Sequence, residues 1–222
     1  TATATGRLAT AGSTLAAKLD FTDLAVLGGG LRGALSATAG FDGTAQQGRL
    51  TLDGTGRGLA IGQTEADRLL AGSSTVLLRA VLLDGRVQID EARLTNPQLS
   101  AEARGVLGTT QGNLTMTGRL ANLALLLPDF PGPVTVTGTA EMRQAGSYAL
   151  NLRGREPGQI DAQVAGTVAA SMNSVNLTIA GTGQAGLVNA FIQPRAISGP
   201  VRFDLAMRGA PSLSALSGRV SL

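Results

Sequence analysis

The sequence predicts an all-β protein: a long, curved antiparallel sheet folded lengthwise into an apolar trough, with few short helices. Three observations carry that prediction. Polar and apolar residues alternate with period two over most of the chain, which marks half-buried strands. Val134, Val136, Gly138, Ala140 and Met142 face one way, while Thr135, Thr137, Thr139 and Glu141 face the other. Glycine supplies 31 of 222 residues and charged residues only 15%, against roughly 7% and 25% in ordinary globular domains. That balance suits short strands joined by tight turns. Finally, a module recurs. Gly6, Leu8, Leu15, Leu24, Ala25, Leu27, Gly33 and Leu35 answer to Gly105, Leu107, Leu114, Leu123, Ala124, Leu126, Gly132 and Val134, each 99 positions on.

Taken in order, the alternation predicts strands at Gly33–Ala39, Gly48–Gly54, Thr75–Val81, Arg86–Asp90 and Leu99–Gly105. It continues through Asn113–Leu120, Val134–Met142, Ser147–Gly154, Gln159–Val168, Val175–Gly181 and Val201–Gly209, and another strand begins at Gly218. Turn signals separate them: Asp42-Gly43, Asp53-Gly54, Asp84-Gly85, Gln144-Ala145-Gly146 and Glu156-Pro157-Gly158. One strand in about a dozen residues implies consecutive hairpins. At Glu91 the phase slips, because Val87 and Ile89 give way to Ala92 and Leu94, which predicts a bulge. Thr64 begins a short helix through Leu70, stopped at Gly72. Leu187–Ile192 reads as a further helical turn before Pro194. Leu24–Leu27 and Leu123–Leu127 read as short helices or loops across an end of the sheet.

The repeat spans approximately 6–104 and 105–204, with a partial third copy over 205–222. After one residue of slippage, Leu50, Leu52 and Gly54 also match Leu150, Leu152 and Gly154. The whole of 1–222 therefore reads as one continuous segment of a larger β-trough protein. The Pro128–Pro133 break, at first sight a domain boundary, becomes a joint inside the sheet.

Little in the chain invites catalysis, and we expect no enzyme and no cofactor. Histidine and cysteine are absent, which removes Ser-His-Asp and Cys-His catalysis, disulfides and ordinary zinc sites. Gly28–Gly33 and Gly181–Gly186 both match Gly-x-Gly-x-x-Gly. Neither opens a long helix, so both read as turns and not as a dinucleotide fingerprint. Asn113 and Asn176 head Asn-Leu-Thr sequons, but each shares the wet side of a strand with its threonine. The net charge of +3 forms no basic cluster, which argues against nucleic acid. No apolar run is long enough for a membrane-spanning helix.

The candidate site is the apolar side of the strands. Its residues are Leu50, Leu52, Val87, Ile89, Leu114, Met116, Val134, Val136, Leu150, Leu152, Ile160, Val164, Leu177, Ile179, Val201, Phe203, Leu205 and Met207. An ordinary two-layer core would use the same residues. The scarcity of aromatics and the repetition favour an extended aliphatic trough. About twelve strands at about 4.8 Å each extend some 55–60 Å. The natural guest is an acyl chain, each sheltered methylene being worth about 0.8 kcal/mol. Hydrophobic contact is non-directional, so the guest is free to slide.

Several stretches carry a family resemblance. Pro194-Arg195-Ala196-Ile197-Ser198-Gly199, Gly209-Ala210-Pro211-Ser212-Leu213-Ser214-Ala215-Leu216-Ser217-Gly218-Arg219-Val220 and Gly118-Arg119-Leu120-Ala121-Asn122-Leu123 resemble junctions in the TamB family, inner-membrane-anchored subunits of the translocation and assembly module. The repeated Leu-x-Leu-x-Gly hairpins are similar to the wider AsmA-like group and, more distantly, to chorein-type bridge proteins. The resemblance covers essentially the whole chain. It implies a taco-like β-trough crossing the periplasm of a Gram-negative bacterium. It also implies phospholipid acyl chains as cargo, the outer-membrane barrel protein TamA as partner of the full-length protein, and a role in outer-membrane biogenesis. This stretch would be a middle segment, starting at Thr1 without the anchor.

A second reading stays open, in which strand edges template outer-membrane proteins during assembly with TamA. A β-helix with short coils does not fit a spacing of about 99 residues. A membrane barrel should carry aromatic girdles, and only 3% of residues are aromatic.

Overall fold

A computed structural model of the chain describes residues 1–7, 12–44, 46–62, 64–108, 111–125, 132–143, 146–156, 160–171, 173–184, 198–212 and 215–221. The chain divides into two compact units, Thr1–Thr109 and Thr110–Leu222. The first contains β1 (Ala2–Arg7), β2 (Ser13–Phe21), β3 (Arg32–Gly43), β4 (Gln47–Ala60), β5 (Ser73–Leu83), β6 (Arg86–Thr95) and β7 (Leu99–Leu107), with one short helix, α1 (Thr64–Leu69). The second contains β8 (Gly112–Leu120), β9 (Val134–Arg143), β10 (Ser147–Glu156), β11 (Ile160–Ala169), β12 (Val175–Gln184), β13 (Pro200–Gly209) and β14 (Leu216–Ser221). The protein is all-β, and within each unit the strands lie in chain order, each antiparallel to the next. Neither meander closes on itself, so each remains an open sheet.

Sequential pairing follows from the connections. At Asp84-Gly85 both residues have positive φ, 48° and 76°, as a two-residue type I′ hairpin requires. At the joint between β6 and β7, Asn96 Oδ1 accepts from the N–H groups of Gln98 (2.8 Å) and Leu99 (2.7 Å), so its side chain substitutes for backbone in turning the chain.

Two turn assignments from sequence need correction. β3 continues through Asp42-Gly43, and the reversal falls after it. Asp53-Gly54 lies inside β4, with Gly54 between Ala37 and Val76. The dipeptide is strand because each residue is used where it stands: Asp53 binds Arg79 at 2.8 Å on the polar side, while Gly54 leaves room on the apolar side. The strands β1 and β2 escape the sequence reading altogether. The expected helical turn at 187–192 lies outside the described residues.

The repeat is visible in backbone and caps. β2 and β8 begin and end 99 positions apart. Each is followed by a 3-10 turn, at Leu24–Leu27 and Leu123–Leu125. Asp23 Oδ1 accepts from Ala25 N–H at 3.0 Å. Asn122 Oδ1 accepts from Ala124 N–H at 3.1 Å, at the matching position. A short acceptor is needed there because the first amides of a helical turn have no backbone partner. The repeating unit is therefore six strands, β2–β7 and then β8–β13. The sequence border at 104/105 falls inside β7.

The bulge is present beside Glu91. Arg79 pairs with Glu91 but Ala80 pairs with Ile89, so Asp90 is the extra residue. The same shift recurs against β7 between Ile89 and Ala92. It restores the phase, returning Ala92 and Leu94 to the side occupied by Val87 and Ile89.

Glycine also solves a local problem in the sheet. Gly166 sits mid-strand at φ 146°, where a side chain would strike the Asn176 carbonyl and Leu177 Cα. A methyl group at Gly154, on the neighbouring strand, would come no nearer than 3.9 Å to Ala162 or Val136. Gly166→Ala should therefore destabilise the fold by about 1–3 kcal/mol, while Gly154→Ala should change it far less. Urea unfolding of the two variants checks this, and equal midpoints would remove the proposed strain at Gly166.

Candidate functional site

Antiparallel pairing sets side chains of opposed residues on one side of the sheet, so the registers trace the apolar face directly. In the first unit one row runs Gly6, Leu15, Phe41, Leu50, Ala80, Ile89, Gly105. The next runs Ala4, Ala17, Ala39, Leu52, Leu78, Ala92, Ala103, and a third Ala2, Leu19, Ala37, Gly54, Val76, Leu94, Ala101. Val87 continues a further row between Leu82 and Leu107.

The second unit repeats the arrangement. Its rows are Leu114, Ala140, Leu150, Gly166, Leu177, Met207, Leu216 and Met116, Gly138, Leu152, Val164, Ile179, Leu205, Gly218. Another runs Gly118, Val136, Gly154, Ala162, Gly181, Phe203, Val220. Val134 faces Leu120, Val201 faces Gly183, and Ile160 faces Glu156. All the apolar positions singled out from sequence thus share one face within their own unit.

Large and small residues are mixed along these rows: Leu152 lies beside Gly138, Leu177 beside Gly166 and Leu50 beside Ala80, while Ile179 lies between Val164 and Leu205. That packing explains which residues are buried. Ala80 and Ala140 are buried between larger neighbours, and Ala37 is buried between Leu19 and Gly54; Ala80 is only 1% exposed. Val168, Val175 and Val201 are the larger residues of this face that are buried among those described. Leu52, Leu78, Leu94, Leu152, Ile179 and Leu205 remain partly exposed, and Leu50 is 37% exposed. In a close-packed core such side chains would be enclosed. Here the aliphatic face remains accessible.

Polar groups on this face stand at its ends. Ser74, at one end, is fully buried, and its hydroxyl accepts from Asn96 Nδ2 at 3.4 Å. Glu156 ends an apolar row on β10, with one carboxylate oxygen buried and unpartnered. The opposite face carries the charges. Arg93 reaches Glu91 at 2.7 Å and Glu102 at 2.9 Å. Arg153 binds Asp161 through both carboxylate oxygens, and Gln163 donates to Asn151 at 3.3 Å. A hollow of about 480 Å³ opens on this polar side, lined by Arg153, Asp161, Gln163, Arg202 and Asp204 among others. A second, of about 590 Å³, includes Asp53, Thr55, Thr75 and Arg93 in the first unit. Both mix charged and hydroxyl groups with apolar residues, Phe203 in the first and Val76 and Leu77 in the second.

The motifs read as structural fall where that reading requires. Gly28, Gly29 and Gly30 all have positive φ, between 68° and 78°, and lead into β3 instead of a helix. Gly181–Gln184 belongs to β12, while the rest of that second motif lies outside the described residues. Asn113 and Asn176 are exposed on the polar side of β8 and β12.

Sequence reasoning missed much of the first unit's face: Leu15, Leu19, Phe21, Leu35, Phe41, Val76, Leu78 and Leu94. The signal was present in Ser13–Phe21, where Leu15, Ala17, Leu19 and Phe21 alternate with Thr14, Ala16, Lys18 and Asp20. No family model, curated protein or solved structure matches the chain.

The hydrogen bond from Arg153 lowers the Asp161 carboxyl below its usual range; the charges of Arg153 and Arg155 lower it further, against partial desolvation. The same bond raises the Arg153 guanidinium. Because Asp161 is depressed in the fold, its favourable contribution is present above the ordinary carboxylate value and fades as pH falls through the depressed one. An NMR titration should place the Asp161 midpoint below that of a model aspartate, and Arg153→Gln should move it upward. An unchanged midpoint in the variant would sever this link.

Proposed function

We propose that the apolar face shelters the acyl chains of phospholipids. The observation that carries this reading is the continuous aliphatic face, rich in leucine, isoleucine and valine, which each sheet leaves accessible. Such a surface offers no directional contacts and little to distinguish one hydrocarbon chain from another. The charged residues lie on the other side, where they keep the sheet wetted without interrupting the hydrocarbon path.

The resemblance to TamB-type and AsmA-like proteins gives this binding a setting. On that reading the chain is a middle segment of a protein anchored in the inner membrane. It conducts phospholipid across the periplasm and supports outer-membrane biogenesis, with TamA as partner of the full-length protein. It performs no covalent chemistry and needs no cofactor: each methylene entering the face gains about 0.8 kcal/mol and loses it on leaving, so movement consists of many small, nearly balanced steps.

The chain purified from membranes by gentle extraction should carry phospholipid detectable by mass spectrometry. Val136→Asp or Phe203→Asp should lower bound phospholipid by about tenfold or more, because a carboxylate against hydrocarbon is strongly unfavourable. Thr137→Asp, on the opposite side of β9, should leave it near wild type. Equal lipid in all three variants, with circular dichroism showing an intact sheet, would exclude the apolar face as the binding surface.

A further inference from the structure

We propose that Met116 and Met207 form an oxidation-sensitive site on the apolar face of the second unit. Peroxides and hypohalous acids convert both residues to sulfoxides, and the face then loses its hold on hydrocarbon. The inference rests on the acyl-chain reading above and adds a chemical control to it.

The sequence holds four methionines and no cysteine, tryptophan or histidine. Its methionine sulfurs are therefore the atoms that such oxidants reach first. All four methionines belong to the second unit, so the face of the first unit has none. Met172 is outside the described residues. Met116, Met142 and Met207 all lie on the apolar face, and each is partly exposed.

The neighbours decide what oxidation does. Met116 stands beside Gly138, in a row that continues through Leu152, Val164, Ile179 and Leu205. Met207 stands between Leu177 and Leu216 in the adjoining row. Apart from the two methionines, the paired residues of both rows are leucine, isoleucine, valine, alanine or glycine. No side chain in these rows donates a hydrogen bond. Met142 differs: it lies near the end of β9, opposite Tyr148, whose hydroxyl is a donor.

The step is a two-electron oxidation. The thioether sulfur forms an S–O bond as the O–O bond of hydrogen peroxide breaks, and the departing oxygen takes up a proton and leaves as water. The sulfur is oxidised and the peroxide reduced. The product carries an acceptor oxygen where the thioether was apolar. Within these two rows only water can satisfy that oxygen, and an acyl chain laid across it strips the water away. The unmodified thioether makes no such demand, because it is flexible, polarisable and apolar. The ladder joins backbone groups alone, so the change falls on the face and not on the pairing of strands.

The test treats the full 222-residue chain with hydrogen peroxide and then offers it vesicles of dimyristoyl phosphatidylcholine, whose saturated chains resist peroxide. Mass spectrometry reads the bound lipid and the sulfoxide at each methionine, each protein being compared with its own untreated sample. Oxidation should lower bound lipid by about tenfold or more, and methionine sulfoxide reductase should restore it. The double variant Met116→Leu, Met207→Leu should take up as much lipid after treatment as before. Met142→Leu should lose lipid as the unaltered chain does. In the reverse order, lipid loaded before peroxide should slow sulfoxide formation at Met116 and Met207 by about tenfold. Sulfoxide at both residues with lipid uptake unchanged overturns the proposal, as do equal loss in the double variant, resistance conferred by Met142→Leu, or no slowing by bound lipid. The slowing is measured on the folded, unmodified chain, so it decides the matter even where oxidation disturbs the sheet. A chain that takes up no lipid before oxidation overturns the acyl-chain reading itself, which separates the two failures.

Discussion

The antiparallel hydrogen-bond ladder is the constraint on which the rest of the structure depends. Its period of two separates leucine from arginine, and a slip of one residue in any strand would reverse that strand's faces. Pairing carries the phase from each strand to the next, so each unit keeps one aliphatic face across its strands. The bulge at Asp90 shows the constraint operating. The sequence around Glu91 breaks alternation, and the ladder absorbs the break as one extra residue. Leu94 thereby stays on the side of Ile89.

A sheet with an accessible apolar face still needs a source of order. Backbone pairing supplies much of it, because each interior strand is bonded on both sides. Side-chain packing supplies another part where a large residue stands beside a small one on the next strand. Leu152 stands beside Gly138, Leu177 beside Gly166, and Leu50 beside Ala80. In the last of these pairs Ala80 is buried while Leu50 stays exposed. This explains why alanine and glycine are as integral to the face as leucine. It also explains why enlarging a small residue threatens the fold more than its modest size suggests.

How much of this was legible in sequence differs by level. The fold class, the polar and apolar sides and the slip near Glu91 were written in the alternation itself. Strand ends were not. Asp53-Gly54 has turn chemistry, yet a glycine opposite Ala37 and Val76 is also what a crowded apolar face needs, and residue identity alone does not choose between them. β2 was overlooked for the converse reason: Ala16 weakens the polar side of an otherwise regular alternation. The repeat was legible because its cap and its inward residues are preserved together. Asp23 and Asn122 differ in charge but offer the same side-chain acceptor to the amide two residues on. For the candidate site, the sequence assigned residues to a face correctly, whereas their incomplete burial depends on how the strands are arranged in space.

Incomplete burial also decides what kind of binding such a face can support. A pocket shaped around one ligand gains selectivity from enclosed volume and a few fixed polar contacts. The rows described here have neither along their length: the donors and acceptors of the strands are used in the ladder, and the charged side chains point to the other side. What remains is aliphatic surface of nearly constant character, interrupted by shallow gaps at glycine and alanine. For a hydrocarbon chain, adjacent positions on such a surface are close in free energy, so residence at any one of them is brief. A polar segment gains nothing by entering and loses its hydration. Under the proposed role, a face of this character would admit hydrocarbon over polar matter without selecting among hydrocarbons. This follows from the same two-residue period that built the sheet.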